Sequence, residues 1–213
     1  MDRFVDRREA GIILAGYLKD YIRLPNSIVL ALPRGGVPVA YEIAQALSIP
    51  LDILIVRKLG VPGHEELAMG AIASDDTVIL NEKLLNQLDI DQSSVNTILQ
   101  KEQEELVRRA HLYRGNRTFP TLNGKTIILV DDGIATGATM QAAVSSLRKH
   151  TPASIIIAVP VAAQETCEEM AKIVDQVICP LQPIHFYAVG MWYEHFSQVS
   201  DKEVIELLEK SKS

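Results

Sequence analysis

Residues 127–139 read IILVDDGIATGAT. An apolar run stops at two adjacent carboxylates, Asp131 and Asp132, and a loop almost bare of side chains follows. The two parts suit different chemistry. In Gly133-Ile134-Ala135-Thr136-Gly137-Ala138-Thr139 the small residues let an anion approach the backbone closely. The unpaired N–H groups of a helix starting there, with its dipole, favour negative charge. Thr136 and Thr139 add hydroxyl donors, so a phosphate monoester suits the loop. Carboxylates at a strand end commonly accept hydrogen bonds from sugar hydroxyls. A ribose 5-phosphate satisfies both parts, with its diol on the acids and its phosphate in the loop. Neither the GK[ST] ending of a Walker loop nor a GxGxxG run is present.

Two further loops carry polar chemistry. In PRGG (33–36), Gly35 and Gly36 permit unusual backbone angles just before a helix, which makes a second anion cradle beside Arg34. The stretch 57–66 carries Arg57, Lys58 and His64. Lys and Arg neutralise charge that develops on a phosphoryl group. For His64, proton donor, anion ligand and solvated loop residue all stand open.

These loops need strands behind them. SIVLAL (27–32), LDILIV (51–56), 126–131, 154–159 and 174–178 read as buried strands. MGAIA and TVIL read as two short strands around an SDD turn. Helices are expected in DRREAGIILAGYLKDYI, ended by Pro25 and Asn26, and at 37–47, near 137–149, near 163–172 and in DKEVIELLEK, capped by Ser200 or Asp201. Residues 57–66 read as a loop with two glycines and a proline. This rhythm predicts an α/β fold: a Rossmann-like, doubly wound, mainly parallel sheet with ligands beyond the C-terminal strand ends. One domain over 1–213 is expected. The polar stretch 91–115, capped by Asp91 or Ser93, is a helical excursion. The aromatic tail 180–199 is a candidate hood.

Composition narrows the function. A net charge of −6 argues against a general nucleic-acid binder. Cys167 and Cys179 form no CxxC pair and read as thiols of a reducing compartment. The first residues do not read as a secretory signal, and no apolar run spans a membrane, so a cytoplasmic protein is expected.

The run 127–139 resembles the phosphoribosyl-diphosphate (PRPP) motif of type I phosphoribosyltransferases, within a little-characterised subgroup that shares the aromatic tail. LALPRGGVPVA looks like the family's pyrophosphate loop, and VRKLGVPGHEELAMGAI like the start of its mobile catalytic loop. The resemblance implies transfer of ribose 5-phosphate from PRPP to a nitrogen heterocycle, with Mg²⁺ and release of pyrophosphate. It implies that Asp131 and Asp132 hold the ribose diol, directly or through Mg²⁺, and that Ala135, Thr136, Gly137, Ala138 and Thr139 hold the 5-phosphate. Arg34, Gly35, Gly36 and Lys58 would hold pyrophosphate, with Arg57, Lys58 and His64 catalytic. A non-proline cis peptide is expected at Arg34–Gly35 or Gly35–Gly36, and a homodimer is expected.

Three departures matter. Gly133 stands where the family carries an aliphatic residue, which reads as added flexibility. Ala135 stands where 6-oxopurine enzymes carry an acid, so hypoxanthine- and guanine-type acceptors are disfavoured while adenine, orotate and uracil stay open. The second lysine and His-Gly of orotate enzymes are not matched around His64. Phe186, Tyr187 and Trp192 are the candidate acceptor contacts, by stacking on a flat base. A satellite core pinning the tail is the other reading. The helix 91–115 is a solvated or dimer-facing arm, or its arginines at 108–117 reach a phosphate. The functional alternative is a PRPP-sensing regulator that keeps the fold without robust transfer.

Overall fold

The apolar runs at 27–31, 126–130 and 154–158 become strands with both faces covered. The structure, a computed structural model, describes residues 3–75 and 77–212. The elements are α1 (Arg7–Tyr17), β1 (Ser27–Ala31), α2 (Gly36–Leu47), β2 (Leu51–Ile53), β3 (Val56–Val61), β4 (His64–Ala73), β5 (Val78–Leu80), α3 (Glu82–Gln87) and α4 (Gln92–Arg114). Then come β6 (Thr126–Val130), α5 (Ala138–Arg148), β7 (Ser154–Ala158), α6 (Gln164–Ala171), β8 (Gln176–Ile178) and α7 (Asp201–Lys210). Side chains alternate across the sheet, as a strand requires. Val29, Ala31, Ile128 and Val130 join the core under α1, α2, α4 and α7. Ile28, Leu30, Ile127 and Leu129 join the core under α5 and α6. The N-caps Asp6, Asp91 and Ser200 accept from the backbone N–H groups of Glu9, Ser94 and Glu203.

The parallel sheet has the order β2-β1-β6-β7-β8. The chain winds one way from β1 and the other way from β6, so the topological switch point lies between these neighbours. The turn after β1 carries PRGG and the turn after β6 carries the acid pair. Adjacency of the two loops therefore follows from strand order.

Three expectations change. The run 51–56 is not one strand. It leaves the parallel sheet after Ile53, and Val56 pairs with Ala73 in a separate antiparallel sheet, β3-β4-β5. Every residue at 53–55 is buried, so hydrophobicity gives no sign of the break. The stretch 57–66 is not a loop but the hairpin of β3 and β4, turning at Pro62 and Gly63, where Gly63 takes φ +75°. The first helix stops at Tyr17, and a 3₁₀ turn over Lys19–Tyr21 carries the chain toward Pro25. MGAIA forms the end of β4 and TVIL leads into and forms β5, as expected, although Asp76 of the SDD turn falls outside the described residues. Among the described residues, no helix is long and apolar enough to cross a membrane.

The tail 180–199 closes the C-terminal edge together with the N-terminus. Phe4 donates its N–H to the Trp192 carbonyl at 2.9 Å and accepts from Glu194 N–H at 2.8 Å. Phe4 is fully buried with Ala10, Val161 and Tyr193. Gly133 is explained here. A Cβ on it would stand 2.6 Å from Val189 Cγ1 and 3.1 Å from Val161 Cγ1. Close packing of the tail, rather than flexibility, demands glycine. Gly133→Ala is expected to cost about 1–3 kcal/mol by overpacking, read by urea unfolding. Adding Val189→Ala is expected to return part of that loss.

Candidate active site

The two glycines after β1 face the two acids after β6. A Cβ on Gly35 would lie 2.1 Å from Asp132 Oδ2, and one on Gly36 would lie 2.9 Å from Asp131 Cα and 2.7 Å from the Val130 carbonyl. Any side chain there would drive the loops apart. The non-proline cis peptide of this turn is Pro33–Arg34, one bond earlier than expected. In the second loop, Gly137 adopts φ +79° and leads into α5, while Ala135, Thr136, Ala138 and Thr139 are exposed. Met170 and Thr166 of α6 back Gly137.

The neighbouring acidic residues line different spaces. Asp131 lines a cavity of about 120 Å³ with residues 133–140, the phosphate-type loop. Asp132 lines one of about 400 Å³ with Arg7, Arg34, Gly35 and residues 196–199. A third cavity, of about 480 Å³, joins Lys58 to Ala138 and Thr139. One side of the acid pair thus faces an anion cradle and the other faces two guanidinium groups.

Arg7 escaped the reading of the sequence. Its Nε donates to Asp132 Oδ2 at 2.8 Å, its Nη1 donates to the Ser197 carbonyl at 2.8 Å, and its guanidinium lies 3.9 Å from the Phe196 ring centroid. The pair is shielded, with side chains 10% and 14% exposed. One signal was present: a cation in the first turn of a helix opposes the helix dipole, so Arg7 at the start of α1 needed another reason. Asp132 also offers its carbonyl to the Tyr193 hydroxyl at 2.6 Å. Burial pushes Asp131 well above the ordinary carboxylate range, and the charge of Asp132 adds to the effect. Burial raises Asp132 as well, against the pull of Arg7. The Asp132 N–H donates to Asp131 Oδ1 at 2.8 Å.

Other expected residues are separated by the fold. Arg57 and Lys58 are adjacent on a strand and so face opposite ways. Lys58 lines the cavity with Thr139, whereas Arg57 is ion-paired to Glu102 of α4 at 2.5 Å. His64 is exposed beside the hairpin turn, paired with Val61. Phe186 and Trp192 pack on the Phe4 and Tyr193 cluster, and Tyr187 is 78% exposed. None of these three lines the cavities above. The arginines at 108–117 are engaged internally: Arg108 and Arg109 with Glu105, Arg114 with Asp52, and Arg117 with the Arg114 carbonyl.

Among the described residues, no three His, Cys, Asp or Glu gather as a metal cluster. The hard oxygens of Asp131 and Asp132 fit Mg²⁺, which keeps water and substrate oxygens in its shell and needs only one or two carboxylates.

Residues 2–191 match the phosphoribosyl transferase domain family, and the chain belongs to it. Two curated proteins from strains of Mycobacterium tuberculosis, both provisionally named phosphoribosyl transferases, are 42% identical over 211 residues. That alignment covers 99% of this chain but 47% of each relative, so the chain spans about half their length. The crystal structure of TT1426 from Thermus thermophilus is 39% identical, covers 98% of both chains and superposes with a TM-score of 0.86. The AQ2163 protein from Aquifex aeolicus, 13% identical with a TM-score of 0.51 over 86% of this chain and 78% of its own, shares the fold.

The Arg7–Asp132 pair is testable by stability. Arg7→Met leaves Asp132 buried without a counter-charge and is expected to cost roughly 3 kcal/mol in urea unfolding. Adding Asp132→Asn is expected to reduce that loss. Asp131 carries a folded pKa above its ordinary value of 3.8. Its contribution is therefore intact below that pH and lost as pH rises through the raised value. Without ligand, Asp131→Asn is expected to melt above the unsubstituted protein at neutral pH, with the difference gone near about pH 3.

Proposed function

We propose that the chain transfers the ribose 5-phosphate group of PRPP to a nitrogen heterocycle and releases pyrophosphate, with Mg²⁺. The observation that carries this reading is the division of the acid pair between a phosphate-sized cradle and a guanidinium-lined cavity. PRPP has the matching order of groups: a 5-phosphate, a diol, then a pyrophosphate.

The backbone of Ala135 to Thr139 holds the 5-phosphate at the start of α5. Asp131 accepts from the ribose hydroxyls. Backbone groups of Gly35 and Gly36, with Arg34, hold pyrophosphate, and Lys58 approaches from the hairpin. Arg7 offsets the charge of Asp132, so the pair presents a net charge of about −1 when Asp131 is ionised. That charge favours a sugar ring that becomes positive as the C1–oxygen bond to pyrophosphate lengthens. Mg²⁺ on the two acids would neutralise oxygen charge on the donor. Ala135 is exposed and supplies no proton, which disfavours 6-oxopurine acceptors.

The test is to incubate the protein with PRPP, Mg²⁺ and a panel of bases while following pyrophosphate. Release with an adenine-, orotate- or uracil-type base is expected. Asp131→Asn with Asp132→Asn is expected to lower PRPP affinity at least about tenfold, the loss of a charge-assisted contact. Binding of PRPP with no release by any base would favour the sensor reading. Failure to bind PRPP would remove both.

A further inference from the structure

The long helix α4 reaches the pyrophosphate turn through a short relay. Its buried stripe of Val95, Leu106 and Tyr113 lies on the hydrophobic core, and the helix packs along β3, β4 and α7. Tyr113 is 5% exposed. Its hydroxyl donates to Asp201 Oδ1 at 2.5 Å, across 88 positions of sequence. Asp201 is the first residue of α7, and the same Oδ1 stands 3.5 Å from Arg34 Nη1. Arg34 lines the cavity of Asp132, Gly35 and Arg7. A residue of the central turn is thus tied to two elements on one face of the sheet.

The chemistry of the relay is stable. Burial and the hydrogen bond to Asp201 push the Tyr113 phenol up to about 12, so it remains a donor at neutral pH. The Tyr113 hydrogen bond holds Asp201 below the ordinary carboxylate range, so the acid stays charged beside Arg34. A guanidinium has five N–H donors in a planar fork. A contact at one Nη1 leaves an edge for two parallel bonds to a phosphate. An arginine held in place beforehand loses less rotamer freedom when the anion arrives.

We propose that Tyr113 and Asp201 are positioning residues, which hold Arg34 over the Gly35 turn to receive the pyrophosphate group of the donor. This rests on the phosphoribosyl-transfer reading. It also gives the polar helix, which looks like a solvated arm in the sequence, a part in recognising the substrate.

The experiment uses the full chain with Tyr113→Phe, Asp201→Asn and Asp201→Glu, titrated calorimetrically with Mg²⁺-pyrophosphate and, separately, with ribose 5-phosphate. Tyr113→Phe keeps the buried ring, and Asp201 is partly exposed, so one of these substitutions leaves the core intact. Both Tyr113→Phe and Asp201→Asn are expected to weaken pyrophosphate roughly fivefold to tenfold, the scale of coupled neighbours. Ribose 5-phosphate affinity is expected to hold, and Asp201→Glu to recover part of the loss. In an Arg34→Ala background, Tyr113→Phe is expected to add nothing. Unchanged pyrophosphate affinity, equal weakening of both ligands, or tighter pyrophosphate binding in Asp201→Asn would overturn the proposal. The last result would show that Asp201 competes with the anion. If the unsubstituted protein binds ribose 5-phosphate but not pyrophosphate, the relay is refuted while the phosphate loop stands. If it binds neither ligand nor PRPP, the transfer reading fails and takes the relay with it.

Discussion

Asp131 and Asp132 lie side by side, largely out of water; burial raises the cost of ionising both, and the charge of Asp132 adds to that cost at Asp131. Much of the C-terminal edge of the sheet answers that constraint. Arg7 neutralises one acid, and the Phe196 ring covers the arginine. Ser197 fixes its other arm, and Tyr193 hydrogen-bonds the Asp132 backbone. Gly35 and Gly36 leave the space that the two acids and the backbone behind them occupy.

The packing of the tail 180–199 follows from the same requirement. Arg7 is anchored by the N-terminal segment, and that segment pairs with residues 192–195 through backbone hydrogen bonds. The tail then packs so tightly on the start of the loop 131–139 that a Cβ on Gly133 would collide with Val189. The aromatic residues of the tail mainly build this support. Phe186, Trp192 and Tyr193 gather around Phe4, in keeping with a satellite core, and Tyr187 faces solvent. Open space lies instead between the Gly35–Gly36 turn and residues 196–199, and between the hairpin and α5.

Local physics was legible in the sequence. Small residues, a positive-φ glycine at 137 and a following helix are properties of a few neighbours, so the loop 131–139 and its place after a buried strand could be read directly. Strand order could not. The split at Ile53 exchanges one buried setting for another, so the apolar pattern runs unbroken through it. Arg7 meets Asp132 across 125 positions, and no local spacing encodes that contact. The pairing of Arg57 with Glu102 joins a hairpin to a helix, which separates Arg57 from Lys58 although the two are neighbours in the chain. Gly133 looked permissive and proved to be crowded, because its crowding comes from the distant tail.

The most direct measurement is the crystal structure of the protein with Mg²⁺ and a stable carbocyclic analogue of PRPP. The 5-phosphate is expected on the backbone of residues 135–139, the ring hydroxyls on Asp131, and the pyrophosphate over Gly35 and Gly36 beside Arg34. An analogue lying elsewhere, or one whose phosphate leaves the 135–139 loop empty, would contradict it.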